Sequence, residues 1–132
     1  MLSVEETKLR VLSELQEAGE ENVAAMANTI FDLTGDRQEI ENLKTALEAL
    51  VHEGLVRIAY RSDLKQKLVP LSEELSLAVA SKLQSVLRLR ESDMHWTWVG
   101  EDRPHVVATE TGLQRADETL ELYGYQWWRS RT

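Results

Sequence analysis

The run Asp36-Arg-Gln-Glu39-Ile40-Glu-Asn-Leu43-Lys-Thr-Ala-Leu47-Glu-Ala-Leu50-Val51-His-Glu-Gly54-Leu55-Val56-Arg57 changes its period at its glycine. Before Gly54, the residues Ile40, Leu43, Leu47, Leu50 and Val51 recur at helical spacing and mark one apolar face. Asp36 is a good N-cap, and Glu39 three residues on comes close to the reciprocal capping pattern, with Asp in place of Ser or Thr. Gly54 supplies the left-handed exit. Beyond it, Leu55-Val56-Arg57-Ile58-Ala59-Tyr60 alternates and is β-branched enough for a strand. The segment predicts a helix that hands over directly to a strand.

Two more amphipathic helices precede it. The first runs from Val4 to Ala18, with Val4, Val11, Leu12, Leu15 and Ala18 on one face and Gly19 as its stop. The second is capped by Asn22, carries Val23, Met26, Ala27, Ile30 and Leu33, and stops at Gly35. Three short helices joined by a few residues bury their stripes only against one another, which predicts a compact trihelical core.

After Tyr60 the pattern continues with a Ser62-Asp63 turn and a returning strand from Lys65 to Pro70. Ser72 caps a fourth helix, with Glu73 and Glu74 in its first turn and Leu75, Ala78, Val79, Leu83, Val86 and Leu87 as its stripe. Arg88 and Arg90 fall in its last turn. A second hairpin follows, His95–Val99 and His105–Ala108, turning over Gly100 to Pro104. Thr109 or Thr111 caps a fifth helix bearing Leu113, Ala116 and Leu120, and Gly124 closes it before the aromatic tail Tyr125-Gln-Trp127-Trp128. The expected class is mainly α with small antiparallel hairpins (α+β). Residues 1–71 form the head, and residues 72–132 form a helical and hairpin extension that packs on it or makes a dimer interface.

The chain has 132 residues, a formal charge of −8 and no cysteine, which removes disulfides and thiolate chemistry. No apolar run approaches the roughly 20 residues a bilayer requires. The start, Met1-Leu-Ser-Val-Glu-Glu6, lacks the basic and apolar regions of a signal peptide. These features predict a cytoplasmic protein with no membrane partner.

Helix, helix, short turn, helix and then Gly54-Leu55-Val56-Arg57 entering a hairpin resembles the winged helix-turn-helix of MarR-type transcription regulators. Thr109-Glu-Thr-Gly112 is similar to that family's exit from wing to helix. Two wing assignments follow from the resemblance: residues 55–70 as a complete wing, or strands from 95–109 with the fourth helix as an insertion. The first is preferred because hairpin connections are commonly short.

The resemblance implies a transcriptional regulator that binds double-stranded DNA. Its third helix would enter the major groove and read bases through Arg37, Gln38, Asn42, Lys44 and Thr45, and its wing would hold phosphate through Arg57, Arg61, Lys65 and Lys67. Two amphipathic helices beyond the head imply a homodimer. Charge argues the other way along the third helix. Residues 36–53 hold Arg37 and Lys44 against five acids, net −3, whereas Arg57 to Lys67 hold +3. The alternative is a protein-interaction module of the same fold that does not bind DNA.

All four tryptophans lie after residue 93, and Trp96, Trp98, Tyr125, Trp127 and Trp128 are the candidates for a satellite core or a partner interface. His95 and His105 would face each other across the second hairpin. With no metal-binding spacing, no nucleophile elbow and no phosphate loop, the sequence predicts neither enzyme activity, nor a cofactor, nor a metal site.

Overall fold

The structure is a computed structural model describing residues 2–62, 67–100, 102–124 and 127–128. Among these, the chain order is α1 (Val4–Ala18), β1 (Glu20–Asn22), α2 (Val23–Ile30), α3 (Arg37–His52), β2 (Val56–Arg61), β3 (Leu68–Pro70), α4 (Glu73–Ala80), α5 (Leu83–Val86), β4 (Leu87–Arg90), β5 (His95–Trp98), β6 (His105–Ala108) and α6 (Glu110–Tyr123). The fold is mixed α and β with small antiparallel sheets.

Caps set the first three helices. Ser3 Oγ accepts from the Glu6 N–H, Asn22 Oδ1 accepts from Ala24 and Ala25, and the Asp36 carboxylate accepts from Gln38. Each satisfies donors that a helix start leaves without intrahelical partners. The stripes then meet. Val11, Leu12 and Leu15 of α1, Met26, Ala27 and Ile30 of α2, and Ile40, Leu43, Leu47 and Leu50 of α3 are all buried in one cluster. The trihelical core expected from periodicity is present, although α2 ends at Ile30, before Leu33 and Gly35.

The four-stranded sheet has the order β1-β6-β2-β3. β6 lies between β1 and β2, with Val106 opposite Glu21 on one side and Ile58 on the other. β3 covers the outer edge of β2 for three residues, with Tyr60 opposite Val69. Residues 105–124, expected in the extension, therefore contribute the middle of the sheet as well as α6, which packs along α1. β1 was not anticipated. Its Glu20-Glu21-Asn22 has no apolar alternation to announce a strand.

One seam locks β6 and α6 to the end of α3. The Thr109 N–H donates to the Leu55 carbonyl at 3.0 Å, and its hydroxyl donates to the Gly54 carbonyl at 2.7 Å. That hydroxyl oxygen also accepts from the Gly112 N–H at 3.0 Å and so caps α6. A Cβ at Gly112 would fall on the Leu55 carbonyl, so only glycine lets the helix come this close.

Three expectations are corrected. The fourth helix does not run to Arg90: α4 stops at Ala80, α5 is one turn, and Leu87-Arg-Leu-Arg90 is strand β4. Its alternation has period two, and a helix would have placed Leu87 and Leu89 on different sides. The second hairpin is not 95–99 with 105–108. β5 pairs instead with β4, Leu89 opposite Trp96, while β6 joins the main sheet. For that reason His95 and His105 do not face each other. His95 Nδ1 lies 2.9 Å from the Asp93 carbonyl oxygen, and His105 Nδ1 lies 2.5 Å from Glu20 on β1.

Candidate interaction surface

α3 presents Gln38, Thr45 and His52 outward, with Glu41, Lys44 and Glu48 half-buried between them. Its expected base-reading side chains are mostly engaged elsewhere. The Arg37 guanidinium donates to Gln84 Oε1 at 3.0 Å and to the carbonyls of Gln84 and Leu87 at 2.5 and 3.1 Å. It also lies 5.2 Å over the Trp96 ring. A planar fork with that many acceptors serves as a clamp on the α5–β4 corner. Asn42 is buried, donates to the Leu2 carbonyl at 2.7 Å and accepts from Gln38 Nε2 at 3.3 Å. Lys44 sits between Glu48 at 3.3 Å and Glu41 at 3.6 Å, and the Glu48 carboxylate raises its pKa above the ordinary value. Thr45 is exposed.

The four cations expected to hold phosphate are no more uniform. Arg57 turns back to donate to the carbonyls of Val51 and Val56, at 3.1 and 3.0 Å, and so satisfies the end of α3. Arg61 lies 3.9 Å from Glu20. Lys67 is exposed, and Lys65 falls outside the described residues.

The aromatic candidates separate. Trp96 is a core residue of the β4–β5 corner, where the Asn28 side-chain amide bonds its backbone in both directions, at 2.7 and 2.9 Å. Trp128 is buried at the other end against α1, its indole N–H donating to Ser13 Oγ at 3.0 Å with Arg10 over the ring. Both are buried in the core cluster, the satellite-core alternative of the two. Trp127 packs on Tyr123 with ring centroids 5.1 Å apart, and Trp98 is half-buried. Tyr125 lies outside the described residues.

Apolar surface is exposed in the segment between β2 and β6. Val69 is 52 % exposed, Leu75 55 % and Val99 42 %. One of them lines a groove and the other two neighbour residues that line it. Val69 is the cross-strand neighbour of Tyr60, and Leu75 precedes Val79 by one helical turn. Tyr60, Val79 and Val99 in turn line one groove. Periodicity concealed this patch, because Leu75 and Val79 read as an inward stripe when α4 and α5 are taken as one helix.

The remaining titratable groups are local in effect. Burial raises the Glu21 carboxyl, and the bidentate Arg90 guanidinium holds Asp93 down at about 2. Among the described residues no cluster of His, Asp and Glu is placed to hold a metal ion, and no helix is long and apolar enough to cross a membrane.

Compared with known proteins, the chain matches no family model, no curated protein and no solved structure.

Proposed function

We propose that this chain is a winged-helix module that works by binding another protein, without enzymatic activity. Three observations support the winged-helix part. The order is helix, short strand, helix, helix, strand. The last strand to enter the sheet, β6, lodges between β1 and β2. The two phrases that carry the resemblance, Gly54-Leu55 and Thr109 to Gly112, meet at one seam. On this reading, residues 62–104 are an insertion into the wing.

The observation that carries the binding mode is the fate of α3. Arg37 clamps the α5–β4 corner, Asn42 is buried on Leu2, and Lys44 is held between two carboxylates. A groove-reading helix needs those donors free and a field that attracts phosphate, and the stretch 36–53 around this one carries net −3. The insertion instead exposes branched aliphatic side chains beside Tyr60 and Trp98, the composition that docking surfaces use.

The test places a photo-crosslinking residue at Val69, Leu75 or Thr45 in turn, in the native host. Partner adducts are expected from Val69 and Leu75 and not from Thr45. Adducts from Thr45 alone would reject the docking face. A DNA-binding regulator is the second reading, favoured by exposed Lys67 and by Arg61 on the neighbouring strand. Duplex titration across salt decides it: the interaction module predicts no binding even at low salt, and a steep loss of affinity with added salt would restore the regulator.

A further inference from the structure

α4 is built inside out. Toward the core it turns Ser76 and Ala80, both buried, and the Ser76 hydroxyl oxygen accepts the Ile58 N–H at 3.0 Å. Its branched Leu75 and Val79 reach the surface instead. Leu75 is 55 % exposed, Ala78 is exposed and Val79 is half-buried. With Lys82 these residues stand at positions i, i+3, i+4 and i+7, so they share one side of the helix. Lys82 continues that side beyond the last turn, because its N–H still bonds the Val79 carbonyl at 3.1 Å. An amphipathic helix normally buries such a stripe, and here nothing in the chain covers Leu75 or Ala78.

The order of charges along that side limits what fits it. Glu74 stands at its N-terminal end and Lys82 at its C-terminal end. Both are exposed, and neither has an ion pair among the described residues. Ala78 lies midway between them, and its small side chain lets a second backbone cross closely. The face is therefore complementary to itself. Turned about a twofold axis at Ala78, the same helix runs antiparallel. It then packs Leu75 between Val79 and Lys82 of the other copy, and it brings each Glu74 to the opposite Lys82. The unlike ends of the two helix dipoles meet in the same arrangement. We infer that the protein bound at this face is a second copy of the chain, in an isologous dimer that crosses α4 on α4 at Ala78. The inference rests on the docking reading and names its partner. An eight-residue helix offers less than the roughly 800 Å² per side of a standard interface, so the dimer forms only at high-micromolar concentration.

Sedimentation equilibrium of the full chain, from about 10 µM to 1 mM, should show monomer and dimer in exchange. Leu75→Ser removes an apolar contact twice and should weaken the dimer about thirtyfold. Lys82→Glu turns two attractions into two repulsions and should weaken it about tenfold. Adding Glu74→Lys to Lys82→Glu swaps the charges and should restore the wild-type affinity. All three side chains are exposed, so the dilute variants keep the wild-type melting curve. The chain has no cysteine, so a single introduced one reports a single contact. Under copper phenanthroline, Ala78→Cys should form a disulfide-linked dimer about tenfold faster than Glu17→Cys on α1, because only a residue on the axis meets its own copy. The inference is overturned by a monomer at the highest concentration, by Glu17→Cys linking as fast as Ala78→Cys, or by a charge-swapped variant as weak as Lys82→Glu. The docking reading fails separately. A monomeric chain that still yields adducts to a different protein from Leu75 in its host keeps the face and loses only this occupant.

Discussion

The three-helix core and the segment from 62 to 104 are built in different ways. In the core, helices place an apolar residue on the same side every third or fourth position, and α1, α2 and α3 bury those stripes on one another. Among its described residues the inserted segment has no element longer than eight residues, whereas α1 and α3 run to 15 and 16. It is held by side chains that reach out of the core, Arg37 to the carbonyls of Gln84 and Leu87 and Asn28 to the backbone of Trp96, and by its own Ser76, whose Oγ accepts the Ile58 N–H. A core of stripes is specified locally and tolerates exchange of one aliphatic for another. A segment docked by a few polar clamps depends on individual groups, each costly to leave unpaired.

The largest test of that contrast is Trp96→Ala. It should destabilise the fold by about 3–5 kcal/mol in urea denaturation. Hydrogen exchange should show protection lost first across β4 and β5 while α1 and α3 keep theirs; simultaneous loss everywhere would make the two regions one cooperative unit. Gly112→Ala comes next. It drives a methyl group into the Leu55 carbonyl, and about 3 kcal/mol is expected from the shift in the urea midpoint. An unchanged midpoint would mean that α6 does not approach β2 as closely as described.

Asn28→Ala removes both bonds to Trp96 and leaves that strand edge open, for about 1–3 kcal/mol. A smaller value would show that the clamp adds little to Trp96 burial. Arg37→Lys keeps the charge and loses the fork, and about 1 kcal/mol is expected, measured as a lower melting temperature. The smallest effect is that of Asp93. Its folded pKa is depressed, so its contribution to the β4–β5 turn is complete above the ordinary carboxylate range and fades only as pH falls through about 2. Carboxyl NMR should place its midpoint there, with no change in the turn between about pH 5 and 8.

The candidate site was partly legible. Gln38 and Thr45 are exposed as helical spacing required. Arg37 and Asn42 were not recognisable as clamps, because what makes them so is where Gln84, Leu87 and Leu2 come to rest. The groove at Tyr60, Val79 and Val99 assembles residues from three separate stretches, and no pattern within any one of them announces it.

Local chemistry alone determined the caps at Asp36 and Ser72, the exits at Gly19 and Gly54, and the stripes of α1 and α3, because each depends on neighbours within about one helical turn. Tertiary structure decided which strand pairs with β6. Strand alternation says which face is buried but not which edge is joined. The choice fell to contacts about 50 residues apart in sequence, where Thr109 finds Leu55 and Val106 finds Ile58.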